Sequence, residues 1–193
     1  MSDPGEMIMI TDLLDRNRSA LVIIDVQEKL FPRVHDHEGV LARLDLLIAA
    51  AKLMGIPLIL TEQYPKGLGT TIEEIRRMIP QTEPLTKTDF SCVAAAGFKE
   101  RLASLHKDQI VLAGIEAHVC VAQTALDLAS QGEKVLVVAD AVSSRRPFDA
   151  QTALGRLQQS GLMLSTAEAV VFEWLRRAGT EEFKALQPKL KEL

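Results

Sequence analysis

Short apolar runs alternate with amphipathic stretches along the chain, and the alternation sets the expected elements. Residues 20–25 (Ala-Leu-Val-Ile-Ile-Asp) are apolar without a polar partner at every second position, the pattern of a strand covered on both faces. Leu41, Leu44, Ile48 and Ala51 recur at helical spacing with Arg43, Asp45 and Lys52 between them, and Gly55 supplies a C-terminal stop. Residues 57–61 read as a second strand, with Pro57 tolerated at its start. Residues 62–88 are rich in Gly and Pro and hold one short helix around 72–78; loops of this length usually carry function. A short third strand is expected around 87–90, and a helix follows over 97–105. A fourth strand covers 109–113, and a helix leads from Cys120 to Gly132 with Val121, Ala125, Leu128 and Ala129 facing inward. A strand at 134–139, a helix at 148–159, a strand at 163–165 and a helix at 166–177 complete the pattern.

Strands alternating with helices predict an α/β fold: a three-layer α/β/α arrangement around a six-stranded, mostly parallel, Rossmann-like sheet with right-handed crossovers. Residues 1–17 read as an N-terminal arm and residues 18–193 as one domain, a size that buries a substantial core. The 22 basic and 26 acidic residues give a net charge of -4 with no basic block, which argues against a nucleic-acid partner. No apolar stretch reaches the roughly 20 residues that cross a bilayer, and the early residues lack the basic and apolar regions of an export signal. A cytoplasmic protein without a membrane partner is the expectation, with Cys92 and Cys120 as free thiols.

Ligand sites of open parallel sheets form beyond the carboxyl ends of the strands, so the residues just after each strand matter most. Asp25 closes the first strand, Lys87 lies at the third, and the turn after the fourth leads to Cys120. Each alone has a structural explanation: a turn former, a solvated lysine, a small core residue. Together they make chemical sense. A thiol at a helix start meets free amides and the positive end of the dipole, a nearby ammonium favours thiolate, and a carboxylate can accept and return the proton.

These residues and their surroundings resemble the isochorismatase-like cysteine hydrolases, the superfamily of nicotinamidases and N-carbamoyl amidases. The resemblance spans roughly residues 18–170, through Leu21-Val22-Ile23-Ile24-Asp25-Val26-Gln27, Lys87 with Phe90-Ser91, Gly114-Ile115-Glu116-Ala117-His118-Val119-Cys120-Val121 and Val138-Ala139-Asp140-Ala141. Thr61 to Gly69 and Ala139 to Arg145 look like the metal-free, isochorismatase domain-containing branch. The resemblance implies a triad of Asp25, Lys87 and Cys120. It also implies a cis peptide between Ile115 and Glu116, and an oxyanion hole from the backbone N–H groups of Glu116 and Cys120. The implied activity is hydrolysis of a small amide-type C–N bond through a thioester on Cys120, without a cofactor, in a homo-oligomer such as a dimer or tetramer.

The chain also departs from its relatives. Where nicotinamidases carry an Asp and histidines for a metal, it reads Thr61-Glu62-Gln63-Tyr64, so no metal is expected; His35 and His37 lack a third ligand. True isochorismatases lack the nucleophilic cysteine. Ala117-His118 stands where many relatives have Thr-Asp. Gln27, Phe31, Tyr64, Phe90 and Ala117 are the expected substrate-side residues, by position beside the triad. Two other functions share these residues: a thiol redox protein with Cys92 resolving Cys120, and a non-catalytic interaction module. Val170, Val171, Trp174 and Leu175 give their helix more apolar surface than a peripheral helix needs, which suggests an oligomer contact.

Overall fold

Every residue of β1 (Ser19–Ile24) and of β4 (Gln109–Ile115) is buried, as expected of central strands covered on both faces. The computed structural model describes residues 13–192, so most of the expected N-terminal arm, residues 1–12, lies outside the described residues. β2 (Leu58–Gln63), β3 (Leu85–Lys87), β5 (Lys134–Ser143) and β6 (Met163–Ser165) complete one sheet in the order β3-β2-β1-β4-β5-β6, with every pairing parallel. The protein thus has the expected α/β architecture around a six-stranded parallel sheet.

The helices are α1 (His37–Met54), α2 (Pro65–Leu68), α3 (Glu73–Met78), α4 (Phe98–Ser104), α5 (Ala122–Ser130), α6 (Pro147–Gln159), α7 (Ala167–Leu175) and α8 (Glu181–Lys191). Side chains of a strand alternate between faces, so the apolar runs feed two cores. Leu21, Ile23, Leu60, Val111 and Leu136 pack with α1 and α7 on one face. Val22, Ile24, Ile59, Leu112 and Val137 pack with α4, α5 and α6 on the other.

Beside the extra one-turn helix α2 in the loop after β2, four features differ from the sequence expectation. β3 ends at Lys87 instead of running to 90, because its three residues are paired to the end of β2, Gln63 opposite Lys87. β5 continues to Ser143, past a register shift against β4 between Leu112 and Gly114. α8 follows α7: Thr180 caps it by accepting from the Phe183 N–H at 3.1 Å, and its Leu186 is buried. Finally, the apolar face of α7 is used within the chain. Val170, Val171, Trp174 and Leu175 are buried in the first core, and the Trp174 indole N–H donates to Ser19 Oγ at 2.9 Å. That face therefore supplies no oligomer contact.

Candidate active site

In this strand order the chain leaves the centre in opposite directions from β1 and β4, and the crevice at their carboxyl ends is where open parallel sheets bind ligands. Asp25 follows β1 with a left-handed backbone (φ 54°), Lys87 is the last residue of β3, and Cys120 lies in the turn beyond β4. The structure gathers the three. Lys87 Nζ donates to Asp25 Oδ2 at 2.7 Å, and both side chains are fully buried. Thr61 Oγ1 donates to the other oxygen, Oδ1, at 2.7 Å. Lys87 Nζ also reaches Gln63 Oε1 at 2.6 Å and the carbonyls of Phe90 and Asp89 at 3.0 and 3.3 Å. A buried ammonium is tolerated when its donors are spent in this way.

Burial alone pulls the Lys87 ammonium down, but the Asp25 carboxylate, by its charge and its hydrogen bond, opposes it, and the group is held above its ordinary value. Cys120 moves the other way from the sequence expectation. Burial, and then the Asp25 carboxylate as like charge and hydrogen-bond acceptor, push its thiol well up, while Lys87 opposes them. Cys120 is thus held as a protonated thiol beside a carboxylate that can accept its proton.

The turn carrying Cys120 is a single π turn, Ala117–Val121, running directly into α5. Such turns concentrate at functional sites. The Ile115–Glu116 peptide before it is cis. Glu116 anchors this turn: its carbonyl accepts from the N–H groups of Val119 and Val121 at 3.1 and 3.2 Å. Its buried carboxylate accepts from Arg145 N and Nε, both at 3.0 Å. His118 Nδ1 lies 2.8 Å from Ser144 Oγ. The segment after β5 thus braces the turn that presents Cys120.

The five expected substrate-side residues divide. Tyr64 and Phe90 are 53% and 54% exposed, and Tyr64 borders an open hollow of about 490 Å³ that Lys87, Lys66 and Asp89 also line. Ala117 is buried with Cys120 in the second core. Phe31 is buried in the first core, its ring edge-on to His37 at 6.0 Å. Gln27 is buried and bonded to backbone on every side: it accepts from Gln63 N–H at 2.8 Å and donates to the carbonyls of Gln63 and Gly69 at 2.9 and 2.7 Å. Its amide ties the loop after β2 to the sheet. Gln27→Leu strands two buried backbone groups of Gln63, at about 1–3 kcal/mol each, and the half-buried Gly69 carbonyl. A loss of about 3 kcal/mol in urea unfolding is expected, and a loss below about 0.5 kcal/mol would refute this role.

Sequence reasoning overlooked Thr61 and Gln63, which hold Asp25 and Lys87. Strand alternation offered a signal, because two polar residues at the carboxyl end of an apolar strand share one face and need partners there. Among the described residues no group of three or more His, Cys, Asp or Glu side chains is placed to hold a metal ion, and no helix is long and apolar enough to cross a membrane.

Comparison with known proteins places this geometry among relatives. The isochorismatase domain family matches residues 19–169. Isochorismatase domain-containing protein 2 of Danio rerio is 40% identical, over 92% of this chain and 89% of the relative. Among solved structures, the MAR1 ribonuclease of Caenorhabditis elegans superposes with a TM-score of 0.86 at 35% identity, over 93% of both chains. YcaC of Pseudomonas aeruginosa, solved with hexane-2,5-diol and covalent acrylamide, superposes at 0.87 with 26% identity over 93% of this chain and 92% of that one. YcaC of Escherichia coli, described as an octameric hydrolase of unknown specificity, does so at 0.86 with 26% identity over 92% and 90%. With the fold, the crevice and the sequence in agreement, the chain belongs to the isochorismatase family, whose members are generally hydrolases.

Proposed function

We propose that the protein is a cysteine hydrolase that cleaves a small amide-type C–N bond through a thioester on Cys120. The observation that carries this reading is the buried Asp25 carboxylate, gripped by Lys87 on one oxygen and Thr61 on the other, bearing directly on the Cys120 thiol. Asp25 takes the thiol proton as sulfur attacks the carbonyl carbon. The N–H groups of Glu116 and Cys120 receive the developing oxyanion, and one such donor is worth about 3 kcal/mol. The C–N bond breaks as protonated Asp25 hands its proton to the departing nitrogen. Water then attacks the thioester while Asp25 accepts its proton, and that proton returns to sulfur. Lys87 stays an ammonium throughout and counters the negative charge that moves between sulfur and carboxylate.

The covalent acrylamide in Pseudomonas aeruginosa YcaC is what a reactive side chain in a related protein would produce. Hydrolysis of a polyanion such as RNA, suggested by the name of the Caenorhabditis elegans relative, fits this chain less well. It carries a net charge of -4, and a carboxylate beside the nucleophile repels phosphate. The redox reading is weakened by burial, which pushes up both thiols, Cys92 to about 11. A homo-oligomer remains part of the reading. The octameric description of the Escherichia coli relative supports it, as do Phe148, Phe172 and Phe90, exposed at 75%, 46% and 54%.

The test is release of ammonia or amine from a panel of small amides, ureas and carbamoyl compounds. Any substrate the wild type turns over should show only background release with Cys120→Ala. Retained turnover in that variant would sink the scheme.

A further inference from the structure

We propose that Thr61 is a positioning residue for the nucleophile: its buried hydroxyl, aimed by the Cys92 thiol, holds Asp25 Oδ1 in place opposite Lys87 and so sets how readily Cys120 gives up its proton. The inference rests on the proposed role of Cys120 and adds a second hydrogen-bonded line to it. Thr61 is fully buried at the carboxyl end of β2, and its Oγ1 lies 2.7 Å from Asp25 Oδ1. A carboxylate only accepts, so the single hydroxyl proton of Thr61 must point to Asp25. That leaves the lone pairs of Oγ1 to accept, and Cys92 Sγ donates to them at 3.8 Å. Burial keeps the Cys92 thiol protonated, its value pushed up to about 11, so it is available as that donor. The Cys92 backbone is fixed in turn by its N–H donating to Thr124 Oγ1 at 2.9 Å.

The arrangement runs Cys92 to Thr61 to Asp25, with Lys87 on the opposite carboxylate oxygen and Cys120 facing the carboxylate. Asp25, Lys87, Cys92 and Cys120 are the titratable groups that bear on one another here; Glu62, next to Thr61 in β2, is turned away and accepts from Thr71 N and Oγ1 at 2.7 and 2.8 Å. Thr61 takes up part of the carboxylate charge and fixes the side-chain rotamer. Without the hydroxyl, more of that charge bears on Cys120, so ionisation of the thiol to solvent, which leaves a thiolate beside the carboxylate, becomes costlier.

The experiment is the rate of iodoacetamide alkylation at Cys120 against pH, located by peptide mass spectrometry, in wild type, Thr61→Val, Thr61→Ser and Ser19→Ala. In Thr61→Val the rising limb should move up by about one pH unit, making alkylation at pH 8 about tenfold slower, the size expected for one hydrogen bond to a charged group. Thr61→Ser should stay within about threefold of wild type. Ser19→Ala removes a buried hydroxyl at the opposite end of β1, where it serves Trp174 Nε1 and the Asp15 carbonyl and touches neither Asp25 nor Cys92, so a merely structural effect would appear there as well; its limb should not move. Coincident curves for wild type and Thr61→Val, or equal displacement in Ser19→Ala, would overturn the inference whatever the turnover. Absence of Cys120-dependent amide turnover would instead defeat the hydrolase reading while leaving a displaced Thr61→Val curve intact.

Discussion

Lys87→Met is expected to cost about 3–5 kcal/mol of stability and to slow the reaction of Cys120 with small electrophiles about tenfold to a hundredfold. Methionine fills the lysine's volume, so the loss isolates charge and hydrogen bonding from packing. Without the ammonium, Asp25 keeps Thr61 but loses the partner on Oδ2, and Gln63 Oε1 and the Phe90 carbonyl lose a donor as well. The Cys120 thiol, already pushed up by burial and Asp25, loses the one neighbour that opposes them. Domains of this size are stable by about 5–15 kcal/mol, so the variant should remain measurable by urea unfolding. A loss under 1 kcal/mol with unchanged Cys120 reactivity would mean that the pair is incidental.

The same pair predicts an alkaline limb. Lys87 is held above its ordinary value in the folded protein, so its contribution is complete below the unfolded value of about 10.4 and is lost as pH rises through the folded value. Wild type should therefore lose stability at high pH more steeply than Lys87→Met.

The second large effect is expected at Gly114, where alanine should destabilise by more than about 4 kcal/mol. The reason is backbone approach. Gly114 pairs with Ile24 across the sheet, its φ is +115°, and a Cβ there would lie 2.2 Å from the Ile24 carbonyl oxygen and 2.6 Å from its nitrogen. No flexible side-chain end is available to move aside, so β1 and β4 would have to separate. Asp25 follows Ile24 directly and the Cys120 turn follows Gly114, so the separation would also pull the carboxylate and the thiol apart. Gly155, inside α6, is the contrast: nothing lies within 4 Å of its added Cβ, and Gly155→Ala should stabilise by about 0.5–1 kcal/mol. Urea midpoints of the two variants check both signs, and a Gly114→Ala protein as stable as wild type would contradict the account of this crossing.

How far the sequence alone reveals this architecture depends on where each element draws its stability. β1, β4 and the first part of β5 declare themselves as unbroken apolar runs because burial on both faces demands them. β3 is harder: three residues, Leu-Thr-Lys, carry almost no pattern, and its register comes from pairing with β2. α8 is mostly polar and contains Pro188, so its apolar contacts Phe183, Leu186 and Leu190 are easy to pass over. The meeting of Asp25, Lys87 and Cys120 in one crevice was legible because strand ends in a parallel sheet converge and the local motifs are distinctive. The direction of the Cys120 shift was not. Free amides and a nearby ammonium can be read from order along the chain, whereas depth of burial and the approach of Asp25 exist only after folding. Gln27 looked like a rim residue for the same reason, although its three backbone bonds make it a clamp. The α7 stripe taught the reverse lesson: surplus apolar surface is covered from within by α1 and α8, not by a second copy.

The proposed role of Cys120 as nucleophile is tested most directly by trapping an acyl group. Brief exposure of the wild type to p-nitrophenyl acetate, acid quench and peptide mass spectrometry should find one acetyl group on Cys120, with Cys92 unmodified and the Cys120 acetyl gone after a longer incubation. Acetylation confined to surface lysines or to Cys92, with Cys120 untouched throughout the time course, would contradict the account.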